Sequence, residues 1–178
     1  GGVCLNVGCI PSKAIIHAAE RFESLREHAK EDGHMGLKIK SEPEIDMAAL
    51  ISWKDGIVDR LNRGVESLLV SAGVEIIHGW AKFSGPKNCV VGSGNEKIEI
   101  EAENVIIATG SSHIDLPFMP CDEKNIISST GALDLQKLPK KIAIVGGGYI
   151  GVELGCAFAK LGSKVSIIEG MDSILGIF

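Results

Sequence analysis

One segment constrains the fold of this chain more than any other: Lys140-Lys141-Ile142-Ala143-Ile144-Val145 followed by Gly146-Gly147-Gly148-Tyr149-Ile150-Gly151. An apolar, β-branched run reads as a strand, and the glycines Gly146, Gly148 and Gly151 follow it in G-x-G-x-x-G order. Each glycine meets a separate demand. The first permits a tight turn, the second lets a pyrophosphate approach the backbone, and the third lets the next helix lie close on the strand. Tyr149 to Leu161 continues with helical spacing, Gly162 stops it, and Lys164 to Ile168 forms the next strand. That strand ends in Glu169, eighteen positions after Gly151. A carboxylate there accepts hydrogen bonds from both ribose hydroxyls and repels a 2′-phosphate. The helix start offers unpaired amides and the positive end of its dipole to phosphates. The expectation is a dinucleotide loop formed by Gly146, Gly148, Tyr149, Ile150 and Gly151, with Glu169 selecting NAD over NADP.

Upstream, the pattern changes period. Ala14, Ile15, Ala18, Phe22 and Leu25 recur at helical spacing within Ser12 to Lys30, and Gly33 follows. A second helix is expected from Pro43 to about Ala72, perturbed near Gly56 or Gly64, with Met47, Leu50, Ile51, Val58, Leu61, Val65, Leu68 and Leu69 on one face. Val74 to Phe83, Val90 to Val91, Lys97 to Glu101 and Asn104 to Ala108 read as strands, the middle ones joined by Gly92-Ser93-Gly94-Asn95. A small antiparallel meander therefore precedes the parallel unit. The fold class is α/β, a partial FAD/NAD(P)-binding Rossmann-like three-layer arrangement carrying that meander.

Composition excludes several classes of partner. In 178 residues, 45% are hydrophobic, enough for a core, and a net charge of -5 without a basic stripe argues against nucleic acid. No run of eighteen apolar residues suggests a membrane span. Five cysteines, an odd set in a chain that can build a core, argue against a disulfide framework and for a reducing compartment. Cys89, Cys121 and Cys156 read as inert.

Cys4 and Cys9 are different. They lie in Gly1-Gly2-Val3-Cys4-Leu5-Asn6-Val7-Gly8-Cys9-Ile10-Pro11-Ser12-Lys13. In a regular helix, residues five apart are separated by about 7.5 Å along the axis, whereas bridged Cα atoms lie about 4.4 to 6.8 Å apart. A bridge therefore needs a bent entrance. Gly8 supplies backbone freedom, Asn6 tolerates unusual angles, and Pro11 sets the first helical turn. A helix N-terminus stabilises the Cys9 thiolate, and Lys13 adds a positive charge one turn on. A redox pair, a zinc site completed by His17 and a pair of inert buried thiols all remain possible readings. Zinc lacks a second C-x-x-C or H-x3-H pair, and no metal site is expected.

The opening stretch closely resembles the active-site segment of the class I pyridine nucleotide-disulfide oxidoreductases, and among them the dihydrolipoamide dehydrogenases. Val105-Ile106-Ile107-Ala108-Thr109-Gly110-Ser111 is similar to a flavin-side segment of that family, and Gly146 to Glu153 to its NAD loop. The motifs follow the family's order and span the chain. Ser12 and Glu169 favour the lipoamide enzymes over glutathione reductase. The resemblance implies FAD and NAD as cofactors. It makes Cys4 the thiol that exchanges with substrate, Cys9 the thiol beside the flavin, and Lys13 a group near the flavin paired with Glu153. Gly1, Gly2, Val3, Ala81, Thr109, Gly110 and Ser111 would line FAD, although Ala81 stands where the family often has glycine, and Tyr149 would cover the flavin before nicotinamide arrives.

The implied reaction oxidises dihydrolipoamide to lipoamide and reduces NAD to NADH. Implied partners are a lipoyl domain or free lipoamide, the E1 and E2 components of a 2-oxo acid dehydrogenase complex, and a second copy in a homodimer. The implied compartment is a bacterial cytoplasm or the mitochondrial matrix. None of His17, His28, His34, His78 or His113 matches the context of the family's catalytic histidine. The expected division is residues 1–138, a partial FAD domain with the redox pair, and 139–178, the start of an NAD domain. The chain is expected to be an inactive internal fragment of a longer parent. Alternatives are a mercuric or glutathione reductase-like enzyme, or a binding module that has lost its chemistry.

Overall fold

A computed structural model of the chain describes residues 2–30, 35–93 and 96–176. Its elements are α1 (Cys4–Val7), α2 (Cys9–His28), α3 (Met47–Ser71), β1 (Trp80–Phe83), β2 (Asn88–Ser93), β3 (Glu96–Glu101), α4 (Ser129–Ala132), β4 (Lys141–Val145), α5 (Tyr149–Leu161) and β5 (Lys164–Ile168). Helix α2 begins at Cys9 rather than at Ser12, because Pro11 is accommodated inside the first turn, where its missing N–H costs nothing.

Helix α3 begins at Met47, four residues later than Pro43, where the Asp46 carboxylate accepts the Ala49 amide at 3.0 Å. It runs unbroken through Gly56 and Gly64. Both face open space, so each carries only the propensity cost of about 1 kcal/mol and no packing defect. Gly73, at φ 74°, ends the run. The apolar face splits along its length: Met47, Leu50, Ile51 and Val58 are buried, whereas Val65, Leu68 and Leu69 are exposed.

The meander has order β1-β2-β3, with Trp80 opposite Gly92 and Asn88 opposite Glu101. The turn signal Gly94-Asn95 between its last two strands lies outside the described residues. Two expected strands shrink or vanish. The first keeps only Trp80–Phe83 of Val74 to Phe83, and Asn104 to Ala108 forms no strand. A strand exists only through a ladder, and no described strand pairs with residues 74–79 or 104–108; Ile106 is accordingly 91% exposed.

Strands β4 and β5 pair in parallel, Lys141 opposite Lys164 through Val145 opposite Ile168, with α5 as the crossover. Helix α5 lies close on this pair. A Cβ at Gly155 would stand 3.2 Å from Ile144 and 3.3 Å from Ile167. Gly162 closes the helix at φ 115°, a left-handed cap that glycine adopts without strain.

One core joins the helices. It unites Ile15, Ala19 and Phe22 of α2, Met47, Leu50 and Ile51 of α3, Leu133 beside α4, and Leu154, Phe158 and Leu161 of α5. The contributors lie on both sides of residue 138, so the helix that begins at Cys9 and the helix following the glycine loop bury a common surface. Lys54 is also buried, its ammonium donating to the Leu133 carbonyl at 3.0 Å and pairing with Asp55 at 2.7 Å. Those partners satisfy a charge that would be costly to bury alone.

Candidate active site

The cysteine pair sits where two helices break. Helix α1 ends at Val7, Gly8 adopts φ −133° and ψ −114°, and α2 restarts at Cys9. This break shortens the Cys4–Cys9 Cα separation to 4.5 Å, and the two residues form a disulfide that lies exposed at the surface. Gly8 is required by space rather than by handedness: a Cβ there would stand 3.0 Å from the Val3 carbonyl and 3.1 Å from the Cys4 Cα. The Ser12 hydroxyl donates to the Cys9 carbonyl at 3.0 Å and steadies the first turn.

Asn6 serves a different purpose from the one its backbone tolerance suggested. It is helical, and its side chain acts as a clamp. Its amide donates to the Gly2 carbonyl at 3.0 Å, and its side-chain carbonyl accepts from the Asn62 amide at 2.9 Å. The pair is thereby tied to α3 by a contact between residues far apart in sequence.

Lys13 projects from α2 one turn beyond Cys9, and its Nζ lies 2.6 Å from Glu153 Oε1 on α5. The two expected partners thus meet across the α2–α5 junction. Their side chains are 59% and 40% exposed, so the pair aligns the helices more than it stabilises them.

Gly2 and Val3 are brought to Gly110. Gly110 takes φ 86°, and a Cβ there would lie 3.0 Å from the Gly2 Cα and from the Val3 amide nitrogen. Glycine is needed twice over, for conformation and for close approach. Thr109 and Ser111 flank this contact and are exposed. Ala81 lies in β1 opposite Val91, on the meander rather than on the elements carrying the other residues. Gly1 falls outside the described residues.

The glycine turn has the form its sequence implies. Gly146 takes φ 106°, Gly148 caps α5 with nothing within 4 Å of a hypothetical Cβ, and a Cβ at Gly151 would overlap the Gly146 carbonyl oxygen. The first and third glycines build the turn, and the second leaves room above it. Tyr149 and Ile150 are 60% and 46% exposed beside that space. A cleft of about 770 Å³ runs along β4 and past Gly146, Tyr149 and Gly151.

Glu169 is at the turn. Its carboxylate accepts the Gly147 amide at 2.6 Å and the Met171 amide at 2.9 Å. The Gly147 hydrogen bond, then that of Met171, lowers its pKa below the usual glutamate value. Beyond it the chain folds back, the Leu175 amide donating to the Gly147 carbonyl at 2.8 Å. The sequence pattern singled out Gly146, Gly148 and Gly151 but passed over Gly147 and Asn62. Only the observation that Gly147 follows a glycine and faces an acid at the next strand end could have pointed to its amide.

Among the histidines, His28 is buried near the end of α2 with Nδ1 2.6 Å from the Ser24 carbonyl, and His17, His78 and His113 are exposed; His34 lies outside the described residues.

All of residues 1–178 match the family described as pyridine nucleotide-disulphide oxidoreductase. The chain is 47% identical over 178 residues to a dihydrolipoyl dehydrogenase of Pseudomonas aeruginosa, covering 98% of this chain and 37% of that protein. It is 46% identical to a dihydrolipoyl dehydrogenase of Geobacillus stearothermophilus, covering all of this chain and again 37% of the relative. Among solved structures, LpdA from Mycobacterium tuberculosis superimposes with a TM-score of 0.83 at 25% identity, over 98% of this chain and 38% of that one. The HOCl-induced flavoprotein disulfide reductase RclA from Escherichia coli does so at 0.76 and 32% identity, over 98% and 35%. The chain therefore spans little more than a third of the relatives it matches.

Proposed function

Because the chain belongs to the pyridine nucleotide-disulphide oxidoreductases, we propose that it carries the thiol-exchange centre of an enzyme that oxidises dihydrolipoamide and reduces NAD. The single observation that carries this reading is the exposed Cys4–Cys9 disulfide at the broken entrance of α2. An exposed disulfide at a helix N-terminus is open to attack, and the leaving sulfur departs into a positive field.

The exchange balances with the residues present. A substrate thiolate attacks Cys4 Sγ, the Cys4–Cys9 bond breaks, and Cys9 leaves as a thiolate at the start of α2. The second substrate thiol, losing its proton, attacks the mixed disulfide and releases Cys4 as a thiol. The substrate is then a cyclic disulfide and the protein holds two reduced cysteines. Lys13, held by Glu153, keeps a positive charge one turn from Cys9. That charge and the helix dipole both favour the thiolate.

Two cofactors fit the remaining residues. The uncapped N-terminus of α5, the space above Gly148 and the carboxylate of Glu169 suit NAD. The contact of Gly110 with Gly2 and Val3, flanked by Thr109 and Ser111, suits the flavin side, with Ala81 and Gly1 assigned there by resemblance alone. Bound FAD supplies the two-electron link between the dithiol and the nicotinamide. Residues 1–138 form the FAD-side part and 139–178 the NAD-side part. Lipoyl-bearing components of a 2-oxo acid dehydrogenase complex are the proposed partners, a homodimer the proposed assembly, and a bacterial cytoplasm or mitochondrial matrix the proposed location. Among the described residues no helix is long and apolar enough to cross a membrane.

The test is lipoamide-dependent NADH formation by the full-length protein. Cys4→Ser and Cys9→Ser should each lower kcat by about 10³-fold or more, because covalent exchange has no bypass. Retained turnover in either variant overturns the reading. The likeness to RclA supports a second reading, a reductase of another disulfide. Higher kcat/KM with glutathione disulfide than with lipoamide would favour it.

A further inference from the structure

His113 and Cys121 stand eight positions apart, and neither stood out in the sequence. The fold brings them together with Asp115. We propose that His113, Asp115 and Cys121 form a binding site for a borderline-soft divalent transition-metal ion, with Zn²⁺ the best-fitting occupant and water completing its coordination.

The donor set comes first. One imidazole nitrogen, one carboxylate oxygen and one sulfur lie within 4.8 Å of one another. This mixture suits zinc, whereas magnesium and calcium call for oxygen alone. Distances agree as well. His113 Nε2 stands 3.4 Å from Asp115 Oδ1, and two ligands at tetrahedral zinc, with bonds of about 2.0 to 2.1 Å, lie about 3.3 Å apart. A thiolate at about 2.3 Å from the ion would sit about 3.5 Å from the nitrogen, so Cys121, already within 4.8 Å, closes the set with a movement of at most about 1.3 Å.

The backbone already holds the ligands near this arrangement. The Cys121 amide donates to Asp115 Oδ1 at 3.0 Å, which holds that oxygen beside His113 Nε2. Leu116 and Met119 bridge between the two ligands, the Met119 amide donating to the Leu116 carbonyl at 2.8 Å. Just beyond Cys121, Asp122 Oδ1 accepts the amides of Lys124, Asn125 and Ile126 at 2.8 to 2.9 Å, which fixes the far side of the loop. Binding therefore needs no long segment to be ordered, a cost that weakens sites on loose loops.

The surroundings suit a cation. Asp122 and Glu123 follow Cys121 directly in the chain, so further carboxylates flank the donor set, a field that favours a divalent ion. His113 and Asp115 are 42% and 56% exposed, so an ion and its waters have a path from solvent. All three ligands line the cleft that also passes Gly146 and Tyr149, which puts the ion in the same cavity as the glycine turn. None of them belongs to the cysteine pair, so the site and the thiol exchange stand or fall separately.

Cobalt(II) reports on the site directly, because a Co²⁺–thiolate bond gives a near-ultraviolet charge-transfer band that oxygen and nitrogen ligands do not. The full-length protein, with Cys4–Cys9 kept oxidised, should bind one Co²⁺ per chain with thiolate-type absorption, and Zn²⁺ should displace it. Cys121→Ser should abolish the sulfur-to-cobalt band. His113→Ala and Asp115→Asn should each weaken binding by about tenfold or more, the scale on which even supporting residues matter at metal sites. Cys89→Ser should leave the titration unchanged. Circular dichroism checks that each variant is folded. The proposal is overturned if folded wild-type protein gives no thiolate–cobalt spectrum, if Cys121→Ser keeps it, or if it appears only after Cys4 and Cys9 are reduced.

Discussion

Two helices of this molecule start at a glycine, and they start in opposite ways. At α2 the glycine is confined: Gly8 has the Val3 carbonyl and the Cys4 Cα around the place a Cβ would take, and the disulfide staples the entrance from outside. At α5 the capping glycine is open, with nothing within 4 Å of its hypothetical Cβ, and the crowding has moved to Gly151, where a Cβ would overlap the Gly146 carbonyl. Both entrances present the positive end of a helix. The first spends that field on a sulfur fixed in the chain, the second on whatever arrives from solution. A covalent partner tolerates a tight approach because it never leaves, whereas an exchanging ligand needs room above the amides.

If crowding is structural at Gly151, Gly151→Ala should be the most damaging of the glycine substitutions. The new methyl meets backbone rather than a side chain that can move, so the β4–α5 turn must open. A loss of about 3 kcal/mol or more is expected in denaturant unfolding, with NAD binding lost. A near-neutral result would dissolve the contrast between the two turns. Glu169→Gln should follow, weakening NAD by about 10- to 100-fold in a fluorescence titration, the worth of a hydrogen bond to a charged group.

Glu169 also predicts a sign with pH. Its carboxylate is held below the normal pKa by the Gly147 and Met171 amides, so the stability it adds is fully present above the unfolded-state pKa near 4.5 and disappears as pH falls through the lower folded value. Melting temperatures of the parent protein should fall more steeply than those of Glu169→Gln on acidification from pH 5. Parallel slopes would mean that the carboxylate does not hold the turn.

Gly8→Ala should cost less than Gly151→Ala, about 1 to 2 kcal/mol, because contacts at 3.0 to 3.1 Å can relax by a few tenths of an ångström. Thermal unfolding of the oxidised protein measures it. Smallest in stability is Lys13→Met. An ion pair this exposed should change unfolding by less than about 0.5 kcal/mol while slowing turnover, and a large loss of stability would recast the pair as a structural strut.

What could be read in advance follows the distance over which each feature is decided. The β4–α5–β5 unit was legible because its pairing, its turn and its cap all lie within one short stretch, and the meander because its strands are neighbours. Asn104 to Ala108 carries the same apolar signal as a true strand, yet a strand also needs a partner, which the segment itself does not encode. The clamp from Asn6 to Asn62, the burial of Lys54 under Leu133 and the union of α2 with α5 in one core are long-range outcomes that no local pattern records. Within the site, Lys13 and Glu153 were foreseen as partners by family resemblance. The gathering of His113, Asp115 and Cys121 was not foreseen, because it depends on the fold of a loop.

The uncovered aliphatic stretch at Val105, Ile106 and Ile107 has a practical consequence. Backbone without a ladder and side chains without a cover are what self-templating fibrils recruit, and this one is flanked by acidic residues only on its upstream side, at Glu101 and Glu103. Concentrated samples of this 178-residue chain by itself should therefore cloud first through this segment, and Ile106→Lys should keep them clear for longer.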